Sequence, residues 1–433
     1  MIRQLIQNCR IPGSYGLQDI RLHGTTIEQI LPSSGGGDSS ISDMTGMIHG
    51  ELEEDHGRYG FIFDAKGGLV LPGLIEPHIH LEKALLLDRM PGDAASLQEA
   101  ISMTAALKAG FTESDMIKRS IEVIRKLSRY GVTRLRCHVE VDPMLGLRAM
   151  NSALTVKEKM EHMMEIQIVV FPQEGIISAP GTADLMEEAV RMGADVIGGI
   201  TYVDPILDDH LNFSFKLAAR YNRPLDFHAD FSLNPNDEAI LHIANKTLEY
   251  GFQGRVSAGH VTSLAAMPRE KVKLCAKMIA EADVHLMTLP ATDLYLNGRA
   301  DNDNTRRGIT PVSLLRDEGV NVIYGANNIQ NAFTPFGNGN PLDIAWLLAH
   351  TAYMGSEADA DTLVEMATLG AARAMGIENY GLLAGAQADL VIFPVQSRRE
   401  LIIERPRPVA VWKNGHLLTT RVEDGECHEI SYR

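Results

Sequence analysis

The stretch LVLPGLIEPHIH, residues 69–80, decides how the rest of the chain is read. It is a short apolar run of the kind that forms a buried strand. It ends in His78 and His80, and the two-residue period of a strand points both imidazoles to one face. That geometry suits a metal ion, but an HxH pair is common by chance and needs further convergent ligands.

Seven more runs of similar texture follow: TRLRCHVEV (133–141), EIQIVVFPQ (165–173), DVIGGITYV (195–203), PLDFHAD (224–230), RVSAGH (255–260), VHLMTL (284–289) and VNVIYGANN (320–328). Helical patterns separate them, among them LTVKEKMEHMM, TADLMEEAVRMG and NFSFKLAARYN, and the last two end at Gly or Asn as helix C-termini often do. Eight strand–helix units predict an α/β chain with a (β/α)8 TIM barrel, its active site at the C-terminal strand ends. A doubly wound open sheet is the alternative, and the first strand lacks the GxGxxG turn that such a sheet often carries.

The flanks differ. MIRQLIQNCRI, LQDIRLHG and TIEQILP read as short strands, SSGGGDSSISDMTG (33–46) as a mobile loop, and QADLVIFPV and PVAVWKNGHLL, beyond residue 380, as strands again. We expect the two ends to meet in a small β-sandwich domain (1–68 and 381–433) beside a catalytic barrel (69–380).

With 433 residues, 45% of them hydrophobic, the chain can bury a large core. A formal net charge of -16 disfavours nucleic acid as a partner. Cys9, Cys137, Cys275 and Cys427 form no CxxC pair and read as reduced, buried thiols of a cytoplasmic protein. The N-terminus meets Pro12 and Gly13 too early for a signal peptide, and no apolar run reaches the roughly 18 residues of a membrane span.

Two further histidines, His228 and His260, end the fifth and sixth expected strands, so four imidazoles are expected at one end of one barrel. We take His78, His80 and His228 as metal ligands and His260 as a polarising or proton-carrying group. HExxH and GxSxG are absent, as is the HxE with PCxxC of the other zinc deaminase design.

In order along the chain, LPGLIEPHIHLEK, RCHVEVD, FPQEG, GADVIGGI, the His228 and His260 strands, and RRGIT followed by VNVIYG resemble the amidohydrolase superfamily, most closely its cytosine deaminase branch. The resemblance implies one divalent transition metal, Zn or Fe, on His78, His80 and His228, and water attack on a ring carbon bearing an amino group. It also implies that Gln173 holds a pyrimidine-like ring through its amide. HxHxxK is similar to relatives acting on N-alkylated triazines, which implies that Lys83 orients substrate or leaving group; an ordinary lysine on a barrel-top loop is the plainer reading.

The chain departs from that branch at two acids. Asn327, in GANNIQN (325–331), stands where the superfamily keeps an aspartate, and Phe231 where cytosine deaminases keep a glutamate. An Asn oxygen can touch a metal but takes no proton near neutral pH, so Asn327 is expected in the metal shell and, with Asn328, against the substrate. Asp230 is the expected replacement acid, aimed with His228 toward the mouth; capping the next helix is its other role. Glu82 also follows the HxH pair; Asp204 reads as a pocket or turn residue and His138 as pocket floor or structural. No Lys or Glu in DVIGGITYV offers a bridge to a second metal.

These features predict an aminohydrolase acting on a C–N bond of a pyrimidine- or triazine-like heterocycle, without nucleic-acid or membrane partners, homo-oligomeric or not. The alternatives are a barrel that binds a small heterocycle without turnover, or an amidohydrolase acting on an N-alkyl or amide substrate.

Overall fold

The computed structural model describes residues 3–33, 59–421 and 427–429; the expected mobile loop, from residue 34 to 46, lies outside them. Strands β1 (Arg3–Cys9), β2 (Gln18–His23), β3 (Thr26–Pro32) and β4 (Phe61–Asp64) form one sheet in the order β3-β2-β1-β4. Next comes β5 (Leu69–Pro72), and here the first expected strand divides. Gly73 marks the break, because a Cβ there would collide with the Thr133 side chain.

Beyond it run the parallel strands β6 (Leu74–Ile79), β7 (Val132–Glu140), β8 (Glu165–Phe171), β9 (Val196–Ile200), β10 (Leu225–Ala229), β11 (Val256–His260), β12 (Val284–Thr288) and β13 (Val322–Tyr324). They neighbour one another in chain order. Burial along most of these strands, complete in β7, explains their near-continuous apolar texture, as expected where both faces are covered. Ends β6 and β13 meet through an Ile79–Asn327 bridge, in which Asn327 N–H donates to His78 O (2.9 Å) and His80 N–H to Asn327 O (3.0 Å). The GANNIQN stretch therefore closes the barrel beside the HxH pair.

Helices pack outside the strands. Thr182–Met192 stops at Gly193 and Leu207–Tyr221 at Asn222, both with positive φ, the left-handed stop anticipated from their sequences. The C-terminal strands β14 (Leu390–Phe393), β15 (Ala410–Lys413), β16 (His416–Arg421) and β17 (Cys427–Glu429) form a second sheet that β5 completes by pairing antiparallel with β14. The two small sheets share a core that includes Ile6, Ile20, Phe63, Leu390 and Trp412, with the Phe63 and Trp412 rings edge to face at 5.1 Å. Both chain ends thus build the sandwich, as two sheets joined at a Thr26–Gln387 bridge. Cys9, Cys137 and Cys275 are buried and unpaired, and among the described residues no helix is long and apolar enough to cross a membrane.

Candidate metal centre and active site

His78 and His80 come from β6 and the residue after it, and His228 from β10. All three are buried, and Nε2 of His228 lies 3.2 Å from Nε2 of both His78 and His80. Burial, followed by the neighbouring imidazoles and, for His78 and His80, by Lys83 as well, holds each imidazole well below its usual pKa, so the nitrogens keep their lone pairs. The Nδ1 atoms of all three rings lack a partner. Neutral, convergent nitrogens without another use are what a borderline transition-metal ion requires, so these residues fit one.

His138 joins them: its ring centroid lies 3.9 Å from that of His78 with the planes tilted by 32°, and His78, His80 and His138 bring potential ligand atoms within 4.8 Å of one another. Nε2 of His138 also lies 3.2 Å from a carboxylate oxygen of Asp226, which Arg136 anchors at 2.7 Å on its other oxygen. His228, by contrast, meets both members of the HxH pair directly.

His260 faces this cluster, 5.4 Å from the His228 ring by centroids. Its Nδ1 is 2.6 Å from Asp293 Oδ1, while Asp293 Oδ2 accepts the Leu289 N–H at 3.0 Å. Phe231 lies flat on the same imidazole, 3.9 Å away and 8° from parallel, within an apolar cluster that includes Phe333 and Leu296. Where the branch has a glutamate, this chain thus has an aromatic plate that steadies His260.

Asp230 does not point as strand alternation suggested. Strand β10 ends at Ala229, Asp230 turns to a φ of 49°, and its carboxylate accepts the N–H groups of Ala239 and Ile240 at 2.9 Å. It caps the helix Ala239–Tyr250. Asp204 likewise binds loop backbone, at Ile176, Ile177 and Ser178, and contacts His210.

Lys83 is buried and donates to Glu140 Oε1 (2.6 Å) and Gln173 Oε1 (3.1 Å). Lys108 takes the other Glu140 oxygen at 2.7 Å and also reaches Asp142 and Glu174. Since the Gln173 oxygen is occupied, its Nε2 is the end left to donate.

The asparagines of GANNIQN form a ladder. Asn331 Oδ1 accepts the N–H groups of Phe333 and Thr334, so its Nδ2 must be the donor to Lys83 O and Asn328 Oδ1. Asn328 Nδ2 in turn donates to Asn327 Oδ1 at 2.8 Å. Backbone groups thereby set the polarity of the whole ladder: the Asn327 oxygen expected at the metal accepts from Asn328 instead, Asn327 Nδ2 is the open end among the described residues, and Asn328, expected against the substrate, has both ends used within the ladder.

Reading the chain by pattern missed Asp293, Glu140 and Asn331. Glu140 was open to detection, two residues after His138 on the same strand face. Asp293 gave no local signal, because its partner His260 is 33 residues away.

Fold and site together define a (β/α)8 barrel built around a buried imidazole centre of the kind that holds a metal ion. The model of the amidohydrolase family matches residues 62–418, and the chain belongs to that family. By structure it is similar to the 5-methylcytosine deaminase of Klebsiella pneumoniae liganded with 5-fluorocytosine: 28% identity, 99% of each chain covered, TM-score 0.88. It is also similar to the N-isopropylammelide isopropylaminohydrolase of Burkholderia multivorans, with 28% identity, 96% of this chain and 98% of that one covered, and a TM-score of 0.80. By sequence it is 28% identical to the N-isopropylammelide isopropyl amidohydrolase of a Pseudomonas strain over 82% of this chain and 87% of that protein.

Proposed function

We propose that this protein is a metal-dependent aminohydrolase cleaving a C–N bond on a pyrimidine- or triazine-like ring. The observation that carries the reading is the meeting of His78, His80 and His228 at 3.2 Å beside the His260–Asp293 pair. His78, His80 and His228 would hold a divalent zinc or iron ion, which would supply the Lewis acidity that makes water a nucleophile near neutral pH.

The chain's own groups do the rest. Gln173, its oxygen tied to Lys83, donates from Nε2 to an oxygen or nitrogen of the ring, and Lys83 fixes that orientation. With its Nδ1 facing Asp293, His260 turns Nε2 to the site, where it takes a proton and returns it to the departing amine. Asn327 contributes no charge and no base. The proton work of both missing acids therefore falls on His260, and Asp230, committed to its helix, is left out of it.

A second reading, a barrel that binds a heterocycle without turnover, draws support from those same missing acids. Similarity to the N-isopropylammelide enzymes supports an N-alkyl substrate, and similarity to the 5-methylcytosine deaminase supports a simple amino group. The test is metal content by mass spectrometry, followed by ammonia and alkylamine release from a panel of amino- and alkylamino-pyrimidines and triazines. About one metal per chain with release of either product supports the proposal. Wild-type protein that refuses zinc and iron, or that gains thermal stability with a heterocycle yet yields no product, gives the binding reading the lead.

A further inference from the structure

Among the buried groups not used above is the carboxylate of Glu82. Glu82 is buried, and neither of its oxygens has a hydrogen-bond partner. Its sequence neighbour Lys83 reaches Glu140 and Gln173, while Glu82 lies with a carboxylate oxygen within 4.8 Å of one on Glu140 and of a His80 nitrogen. Glu82 also lines a small cavity of about 10 Å³ with Leu81, Ser120 and Cys137, close to the least space that holds one water.

The nearest ring nitrogen is Nδ1 of His80, 4.0 Å from Glu82 Oε1 and itself without a partner. A histidine that binds a metal through one nitrogen nearly always donates the other N–H to a carboxylate, a carbonyl or a water, which sets its tautomer and raises its basicity. Of the three proposed ligands, only His80 has a carboxylate this near its vacant Nδ1 among the described residues. Resting on the metal reading above, we infer that Glu82 is a positioning residue: it receives Nδ1–H of His80, directly or through one water, and holds Nε2 toward the metal. An unpaired buried carboxylate costs the empty protein stability, and that cost is offset when the ion arrives and His80 must present one defined tautomer.

The test uses the full chain stripped of metal, with E82Q and E82L as variants, so that a failure of one to fold leaves the other. Zinc affinity is measured by competition with a chromophoric chelator, cobalt(II) is substituted to read the ligand field, and unfolding is followed with and without metal. The expected result is metal-free variants at least as stable as wild type, zinc bound about 10- to 100-fold more weakly, and displaced cobalt absorption bands. Variants that bind zinc as tightly as wild type, with unchanged cobalt bands, overturn the inference and leave the metal reading standing. A wild type that binds no metal removes both.

Discussion

Glu140→Gln tests how the pocket is held together. In the native protein Glu140 accepts from Lys83 at 2.6 Å and Lys108 at 2.7 Å, with all three side chains about 2% exposed. The variant keeps the shape and removes the charge. Lys108 retains Asp142 and Glu174, so the group orphaned is Lys83, whose remaining partner is the neutral Gln173 oxygen. Breaking a buried ion pair from one side costs about 3–5 kcal/mol, because a desolvated charge is left behind. With an unfolding entropy of roughly 0.9 kcal/mol/K for 433 residues, the melting temperature falls by about 3–5 °C. Adding Lys83→Met should recover most of that loss, since the orphaned charge is then gone as well. Burial pushes the Glu140 carboxyl up, but Lys108 and Lys83 outweigh it and hold it well below the usual carboxylate range. Its contribution is therefore full above the unfolded pKa and lost as pH falls through the lower folded value, so the gap between wild type and variant narrows in acid. Calorimetry of wild type, both single variants and the double variant across that pH range is the assay. A single variant within 1 kcal/mol of wild type, or a double variant no more stable than Glu140→Gln alone, refutes the reasoning.

Three other outcomes are expected. His228→Ala lowers metal content from about one ion per chain to a small fraction of that, read by mass spectrometry, because both other imidazoles lose the ring they meet. Asp293→Asn, by removing the charge that fixes His260, lowers kcat about 100- to 10,000-fold and moves the pH–rate profile on whichever heterocycle is turned over, while melting stays near wild type. Asp230→Asn costs about 1 kcal/mol through its weakened cap and leaves kcat within about tenfold; a 100-fold loss of kcat at unchanged stability would restore Asp230 to the proton path.

The barrel was legible because its strands are buried on both faces and so read as separate apolar runs, and because strand ends fix where His78, His80, His228 and His260 gather. The two-residue period failed at Asp230, where the chain had already left the strand and turned left-handed. It also could not show the division at Gly73, since the collision that requires glycine there comes from Thr133, a residue of another strand. Asp293 and Lys108 were hidden for a related reason: each acts on a group more than 30 residues away, and no local pattern records such a partner.

Positions 327 and 231, where the resemblance implies an aspartate and a glutamate, are not left as two holes. Phe231 fills its place with a ring stacked on His260, and Asn327 accepts the end of a ladder whose direction is set by the backbone of Phe333 and Thr334. A chain that had merely lost its acids has no need for an oriented amide ladder or for an imidazole held between an aromatic face and a buried Asp293. Both features spend buried polar groups on fixing orientation, which benefits a bound substrate far more than it benefits folding. That economy favours the proposed redirected site over a disarmed one: it gives His260 the geometry of the proposed base and GANNIQN an oriented wall beside it.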